Sequence, residues 1–360
     1  MNQPFYDPLK SYQENYEQGP FGALTNRAEI RRIGRPRHSF LGLSVHRPFG
    51  IPAGPLLNSN FTTAAFQNGF DLCVYKTVRS RYYPAHPWPN VLAAHVEGES
   101  LKLTSDKADG VLGDAHFMSP LSITNSFGVP SMPPDLWQAD MQKAVAAAGD
   151  GQVLIGSFQG TRHGSGDVQS YIEDFVLTAR LVKETGAPIL EVNISCPNEG
   201  TSHLLCFDTE RTVLIVQRIK DEIGDLPLIL KLAYFTDEAQ LENFVSKLGR
   251  LVQGFSAINT ISAKIIDKDG AQALPGAGRE RSGVCGAAIK WAGLEMVARL
   301  ARIRDKFRMG YEIIGVGGVL MPADYLEYRA AGADAVMSAT GTMWNAGLAK
   351  EIYEMGFSGQ

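Results

Sequence analysis

The chain has 360 residues, 44% of them hydrophobic and 20% charged, which is the composition of a soluble globular protein with a large core. Its formal net charge of −4 leaves no basic surplus for gripping a phosphate backbone, which excludes nucleic acid as an expected partner. The polar N-terminus lacks the features of a signal peptide, and no stretch approaches the roughly 18 apolar residues of a membrane span. We therefore expect no membrane partner.

Cysteine usage points to the cytoplasm. The four cysteines, Cys73, Cys196, Cys206 and Cys285, are sparse and have no CxxC spacing, so reduced thiols are expected. The same compartment argument disfavours a disulfide at Cys196, and no zinc-ligand spacing surrounds that residue. A buried thiol and a catalytic group remain as interpretations of Cys196.

Short apolar runs alternate with helical patterns from Phe49 onward, which is typical of βα units and a parallel sheet. The candidate strands are Phe49–Gly54, Leu72–Thr77, Leu121–Ser126, Val153–Phe158, Ile189–Ser195, Leu228–Ala233, Ser256–Ile261, Glu312–Gly318 and Asp334–Thr340. Apolar residues recur at helical spacing in Val168–Gly186, Thr209–Gly224 and Ala287–Phe307. Gly186, Gly224 and Gly332 fall where helices are expected to end.

Nine strands are one too many for an eight-stranded barrel. Leu121–Ser126 follows a stretch without a helix pattern, so we assign it to a long insertion after the second strand. The prediction is an α/β fold, a TIM (β/α)8 barrel over residues 49–360 with an N-terminal extension over residues 1–48. The extension has no chemical interpretation, and it is expected either to cover the bottom face of the barrel or to join a dimer contact.

Polar residues recur at the predicted strand ends. Active sites of such barrels lie where strands end and βα loops begin. Five polar side chains close a candidate strand: Lys76, Asn125, Asn193, Lys231 and Asn259. A single lysine at a strand end can extend to the surface, but five such residues at equivalent positions indicate one shared site.

Two glycine-rich segments, Gly315–Val319 and Ser338–Met343, lie at the last two strand ends. Barrels commonly bind phosphate after strands seven and eight, where glycine lets backbone amides approach an anion. Ordinary tight turns are the alternative, and neither segment has the spacing of a P-loop or dinucleotide motif. Asparagines can both donate to and accept from a planar heterocycle, and a lysine stabilises negative charge on a reduced flavin. FMN fits this inventory.

Six segments in order resemble the dihydroorotate dehydrogenase family, and together they extend from about Phe49 to Trp344. The segments are Asn125–Ser131 (NSFGVPS), Asn193–Asn198 (NISCPN), Leu228–Leu232 (LILKL), Gly283–Lys290 (GVCGAAIK), Ile313–Val319 (IIGVGGV) and Ser338–Thr342 (SATGT). Members of this family are FMN-containing TIM barrels that oxidise dihydroorotate to orotate in pyrimidine biosynthesis. The resemblance therefore implies this fold, cofactor and activity, and it implies a homodimer.

The resemblance also implies roles for individual residues. The expected flavin contacts are Ala53, Gly54, Lys76, Asn193 and Lys231, and the expected phosphate contacts are Gly286, Gly317, Gly318, Gly341 and Thr342. The expected pyrimidine contacts are Lys76, Asn125, Asn193, Asn198, Asn259 and Thr260. The backbone amides expected to receive the substrate carboxylate are those of Phe127, Gly128 and Val129.

Cys196 matches the catalytic base of the family's soluble, cysteine-containing classes; the membrane-bound class has serine there. It would take the proton from C5 of dihydroorotate while a hydride leaves C6 for flavin N5. A free thiol pKa of about 8.5 suits a base near neutrality. Lys231 would stabilise the charge that develops on the flavin. The candidate electron acceptors are fumarate, a nicotinamide served through a partner subunit, or another oxidant.

Two departures from the family's sequence pattern leave open a second activity, the reduction of uracil or thymine. Ser131 stands where the family usually has asparagine, and Asn259–Gly286 is similar to the uracil-reducing domain of dihydropyrimidine dehydrogenases. Those relatives use iron–sulfur clusters, for which this chain lacks the cysteine motifs. A tRNA dihydrouridine synthase would need a basic surface, and a non-catalytic flavin-binding barrel would not need Cys196 beside Asn193.

Overall fold

The computed structural model describes residues 3–26, 30, 34–104, 108–162, 167–195 and 204–355. Strands within these ranges are, in chain order, β1 (His38–Phe40), β2 (Leu43–Val45), β3 (Phe49–Ile51), β4 (Leu72–Val74), β5 (Ala93–His95), β6 (Ala108–Asp114), β7 (Ser122–Asn125), β8 (Val153–Phe158), β9 (Ile189–Asn193), β10 (Leu228–Leu232), β11 (Gly254–Ala257), β12 (Ile261–Ile266), β13 (Arg281–Gly286), β14 (Glu312–Val316) and β15 (Ala335–Met337).

Helices connect most of these strands. The α-helices of the described ranges are α1 (Tyr12–Gln18), α2 (Ser59–Gln67), α3 (Pro134–Ala146), α4 (Val168–Lys183), α5 (Thr209–Ile223), α6 (Glu238–Leu248), α7 (Lys290–Phe307), α8 (Pro322–Ala330), α9 (Thr340–Trp344) and α10 (Leu348–Met355). Short 3-10 helices span Gly22–Thr25, Glu97–Glu99, Leu205–Phe207 and Ala287–Ile289. None of the helices in the described ranges is long and apolar enough to cross a membrane.

Eight parallel strands close into a barrel in the order β3, β4, β8, β9, β10, β11, β14 and β15. Strands β8, β9 and β10 are buried at every position, as expected for a parallel sheet covered on both faces. Helices α2 to α8 follow the strands in the alternation of a TIM barrel. The predicted α/β barrel is therefore confirmed, and the predicted helices correspond to α4, α5 and α7.

Leu121–Ser126 lies outside the barrel, as predicted, because β7 pairs with β13 and β5. The insertion after the second barrel strand contains β5, β6 and β7. A second insertion, which we did not predict, places β12 and β13 between β11 and α7. The two insertions combine into one closed five-stranded sheet in the order β12, β13, β7, β5, β6.

The predicted strand Ser256–Ile261 is wrong in its bounds. Its first two residues belong to β11, which ends at Ala257, and its last residue begins β12. Asn259 therefore lies in the turn that leaves the barrel for the second insertion. Apolar residues recur on both sides of the turn, so hydrophobicity alone does not reveal it.

The amino-terminal end of the barrel is closed by the β1–β2 hairpin. Phe40 and Val45 of this hairpin are fully buried in the cluster of side chains that fills the barrel interior, which includes Ile155 and Ile229. The Leu41 amide donates to Glu312 Oε1 at 2.9 Å, at the start of β14. This part of the N-terminal extension thus covers the bottom face, one of the two arrangements expected for it.

Candidate active site

A cleft lies at the carboxyl ends of the barrel strands, beneath the insertion sheet. It holds about 770 Å³ of space not filled by protein atoms, including solvent at its open mouth. Its walls come from five groups of residues: Pro52–Pro55 after β3, Lys231 of β10, Ile258–Thr260 after β11, Val316–Val319 at the end of β14, and Ser338–Thr340 after β15. The insertion sheet adds Ile123–Asn125 of β7 and Cys285–Gly286 of β13.

Ten of the residues selected from the sequence line this one cleft. They are Ala53, Gly54, Asn125, Phe127, Lys231, Asn259, Thr260, Gly286, Gly317 and Gly318. These residues come from six separate stretches of the chain, and the convergence of the strand ends brings them together.

Six other selected residues are described but do not line the cleft: Lys76, Gly128, Val129, Asn193, Gly341 and Thr342. Lys76 and Asn193 are each 6% exposed and lie among buried polar groups. The Thr342 hydroxyl donates to the carbonyls of Ser338 and Ala339 at 2.8 and 2.9 Å, so it is engaged within α9 and the preceding turn. Cys196 and Asn198 lie outside the described residues.

A chain of hydrogen bonds fixes the amide groups at the ends of β9 and β11. Asn193 Nδ2 donates to Gln159 Oε1 at 2.8 Å, and Asn193 Oδ1 accepts from the Ser195 hydroxyl at 3.0 Å. Asn259 Nδ2 donates to Ser195 Oγ at 2.9 Å, and Asn259 Oδ1 accepts from the Thr260 amide at 2.8 Å. This network assigns the donor and acceptor ends of both asparagines, so the cleft presents a defined pattern of polar groups.

Lys231 brings a positive charge to the floor of the cleft. The side chain is 6% exposed, and its Nζ donates to the Ala53 carbonyl at 3.2 Å. Glu191 lies in the interior of the barrel, 1% exposed, and accepts from the Ser157 hydroxyl at 3.1 Å. Burial raises the pKa of the Glu191 carboxyl, while the nearby Lys231 charge acts in the opposite direction. The lysine is thus a fixed cationic donor close to whatever occupies the cleft.

The turn after β7 is held in an unusual backbone conformation. Gly128 and Val129 have φ values of +79° and +52°, and positive φ is unfavourable for a β-branched residue such as Val129. The buried guanidinium of Arg79 donates to the Val129 carbonyl at 2.9 Å and to the Gly128 carbonyl at 3.4 Å. Because these carbonyls turn toward Arg79, the Val129 amide N–H points away from it. Strain retained in this way is common at binding sites.

Ser131 supports the same turn and lies outside the cleft lining. Its hydroxyl accepts from the Arg79 amide at 3.0 Å and donates to the Met132 carbonyl at 2.9 Å. The side chain is 5% exposed. The serine at this position is therefore used for local backbone structure.

The opposite end of the cleft fits a phosphate-bearing cofactor. The Thr340 hydroxyl oxygen is buried at the start of α9; no described group meets it at normal hydrogen-bond geometry, although the Cys285 thiol lies close enough to interact with it. Gly317 lines the cleft at this end with φ of +130°, where a Cβ would contact Tyr328 and Ile258. A hydroxyl donor beside glycine backbone suits an anionic group. Elsewhere in the cleft, Gly54 has φ of +141°, and a Cβ placed there would meet no protein atom within 4 Å.

Cys285 brings a thiol to the cleft, and the sequence had not singled it out. Burial raises the pKa of the Cys285 thiol to about 11, a shift that a hydrogen bond with Thr340 and then the Lys231 charge oppose in part. Burial likewise raises the pKa of Cys206 to about 12. Both thiols are therefore neutral near pH 7 and neither is a suitable base. Among the described residues, Cys73, Cys206 and Cys285 form no disulfide.

Sequence reasoning also missed Gln159, Arg79, Thr340 and Tyr6. Gln159 directly follows β8, so the rule that selected the other strand-end polar residues would have found it. Thr340 stands within the glycine-rich segment that was selected, but glycine was weighted above the hydroxyl. Arg79 and Tyr6 have no sequence signal, because their positions depend on contacts with distant segments.

The fold and the cleft define a (β/α)8-barrel enzyme whose site is built from strand ends. A family model described as "Dihydroorotate dehydrogenase" matches residues 104–354. The chain is 36% identical to "Dihydroorotate dehydrogenase" of Dictyostelium discoideum, over 96% of this chain and 95% of that protein. It is 26% identical to "Dihydroorotate dehydrogenase (quinone)" of Bordetella parapertussis, over 85% and 80%. It is 28% identical to "Dihydroorotate dehydrogenase B (NAD(+)), catalytic subunit" of Pyrococcus furiosus, over 66% and 75%.

The chain therefore belongs to the dihydroorotate dehydrogenase family of enzymes. The resemblance inferred from the six sequence segments is confirmed. The relatives named for quinone and for NAD(+) are less similar than the Dictyostelium protein.

Replacing Gln159 with methionine should lower the free energy of unfolding by about 1–3 kcal/mol, because Asn193 Nδ2 loses its buried acceptor. Gln169→Met is the matched control, since Gln169 donates to Glu173 on an exposed helix surface. The control should change stability by no more than about 0.5 kcal/mol. Urea unfolding of both variants measures the difference, and equal midpoints would show that the buried amide network does not depend on Gln159.

Proposed function

We propose that this enzyme oxidises dihydroorotate to orotate with a bound FMN, and so serves pyrimidine biosynthesis. The observation that carries the proposal is one cleft with two chemically different ends. One end has amide side chains and a lysine, and the other has glycine backbone and the buried Thr340 hydroxyl. The names of the relatives support the substrate.

At the phosphate end we propose contacts from Thr340 and from the backbone around Gly317, Gly318, Gly341 and Gly286. This end follows barrel strands seven and eight, where such barrels commonly bind phosphate. Ala53, Gly54 and Lys231 would lie along the flavin. Lys76 and Asn193, although buried behind the cleft wall, would complete the polar environment of the rings.

At the substrate end, Asn125, Asn259 and Thr260 would hydrogen-bond the pyrimidine, together with Asn193 and Asn198. The amides of Phe127, Gly128 and Val129 would receive the carboxylate. The clamp by Arg79 supports this assignment, because it orients the peptide groups of the strained turn without any ligand. A preorganised set of amides binds an anion without the cost of reordering.

Oxidation breaks the C5–H and C6–H bonds of dihydroorotate and forms a C5=C6 double bond. When bound, FMN supplies the acceptor for the two electrons that leave with the C6 hydrogen. Cys196 would take the C5 proton on its sulfur, and Pro197 would stiffen the loop that carries it. Lys231 would hold a positive charge next to the ring where negative charge develops, which favours the transition state over the ground state.

We further propose a homodimer in the cytoplasm that acts on a small molecule, without a nucleic-acid or membrane partner. The family resemblance supports the dimer, and the sparse cysteines support the compartment. Fumarate, a nicotinamide and other oxidants remain the candidate electron acceptors.

Anaerobic addition of dihydroorotate to the yellow protein tests the activity directly. We expect the flavin absorbance to bleach, and we expect orotate to perturb the flavin spectrum at lower concentration than uracil does, because uracil lacks the carboxylate. Bleaching by a nicotinamide but not by dihydroorotate, with tighter binding of uracil, would favour the dihydropyrimidine dehydrogenase-like activity. A flavin that none of these compounds reduces would indicate a non-catalytic flavin-binding barrel.

The identity of the base can be tested with two cysteine variants. Cys196→Ala should lose about 10²–10⁴ in the rate of flavin reduction, the range typical of a positioned base. Cys285→Ala should reduce its flavin at nearly the wild-type rate, because a thiol with a pKa of about 11 stays protonated at pH 7–9. In the wild type, the rate should rise with pH and level off near the pKa of Cys196. Stopped-flow absorbance measures each rate, and the opposite ranking of the variants would assign the base to Cys285.

Two threonine variants test the phosphate end. Thr340→Val should weaken FMN binding by about tenfold or more, since a hydrogen bond to a charged group contributes roughly 1.5–3 kcal/mol. Thr342→Val removes a hydroxyl that serves backbone carbonyls, so it should lower stability and leave FMN affinity within about twofold of wild type. Flavin fluorescence titration of the apoproteins gives both affinities. Equal FMN affinity in the wild type and the Thr340 variant would remove Thr340 from the phosphate site.

A further inference from the structure

The N-terminal segment reaches the cleft from the side opposite to the barrel bottom. The Phe5 amide donates to the Met343 carbonyl at 2.9 Å, which joins the segment to α9. The Asp7 amide donates to Asn15 Oδ1 at 2.7 Å, and Asn15 Nδ2 donates back to the Asp7 carbonyl at 2.9 Å. These contacts on both sides of Tyr6 hold its backbone in place.

The Tyr6 side chain forms part of the cleft wall. The residue is 2% exposed, and its ring packs edge-to-face on Phe127, with centroids 5.3 Å apart and an interplanar angle of 89°. Val91, Ile123 and Met343 also line the cleft, and Tyr6 is the lining residue that comes from the N-terminal segment. Tyr6 is therefore the polar side chain that the N-terminal segment brings to this side of the cleft.

The Tyr6 hydroxyl is buried and has no hydrogen-bond partner among the described residues. A buried hydroxyl without a partner is unfavourable, because it has given up its bonds to water. Burial, followed by the effects of Tyr12 and Asp7, raises the pKa of Tyr6 far above its usual range, so the group stays a donor. Phenylalanine would fill the same space without this cost. The hydroxyl is thus suited to a partner that the protein itself does not provide.

We propose that Tyr6 is a ligand-binding residue whose hydroxyl donates a hydrogen bond to an acceptor atom of the heterocycle bound in the cleft. The inference rests on the proposed function, since it requires a ring with oxygen or nitrogen acceptors. Flavin and pyrimidine rings both carry such atoms. The affinities of the protein for FMN and for orotate, measured separately, show which ring supplies the acceptor. The N-terminal extension would then take part in ligand binding as well as in covering the barrel.

Tyr6→Phe is the test, because it removes the hydroxyl and retains the ring. We expect the affinity for one ligand, FMN or orotate, to fall about tenfold, the usual effect of one buried hydrogen bond. The Tm of the apoprotein should rise by about one or two degrees, because an unsatisfied polar group has been removed. Fluorescence titration of the apoprotein gives the FMN affinity, and the flavin spectrum of the holoenzyme reports orotate binding.

Tyr12→Phe is the matched control. Tyr12 belongs to the same segment and also packs its ring on Phe127, at 6.0 Å, but it faces a neighbouring groove. Its variant should bind both ligands as the wild type does. Affinities within twofold of wild type for both ligands in Tyr6→Phe would overturn the inference alone, as would equal losses in the two variants. A wild-type protein that binds neither FMN nor orotate would overturn the inference and the proposed function together.

Discussion

The closure of eight parallel strands into one barrel is the constraint on which the cleft depends. All eight strands run in the same direction, so their carboxyl ends meet at one rim although they are far apart along the chain. The register between β9 and β10 sets Lys231 directly beside Asn193. A shift of one residue in either strand would turn one of these side chains away from the interior.

The insertions add a wall to the cleft at this rim. β7 comes from the first insertion and β13 from the second, and they pair so that Cys285 lies opposite Ile123 and Gly283 opposite Asn125. Each insertion alone would leave exposed strand edges, whereas together they close a five-stranded sheet. The part of the cleft lined by Asn125 and Cys285 therefore depends on two segments that the barrel holds in position.

Several features in and around the cleft lower the stability of the fold but would favour ligand binding. Apolar packing would be more favourable than each of these features: buried amides and hydroxyls, a strained turn at Val129, and an unpartnered tyrosine. Barrel strands that are buried along their whole length, such as β8 to β10, supply the stability that tolerates them. The barrel thus has a stable end, where its strands begin, and a polar rim, where they end. This division is consistent with an enzyme of this family.

The sequence by itself determined the barrel, its strand-end polar residues and its family. Continuous apolar runs are strong signals for buried parallel strands, and NISCPN and IIGVGGV are local motifs that need no tertiary information. It did not reveal β12 and β13, because apolar residues recur on both sides of the turn around Asn259. Only the tertiary structure showed that Arg79 clamps the turn at Val129, that the Thr342 hydroxyl is bonded to backbone carbonyls, and that Thr340 and Tyr6 line the cleft. The physical reason is that these contacts join residues distant in the chain, and their partners are set by how the barrel, the insertions and the N-terminal segment pack together.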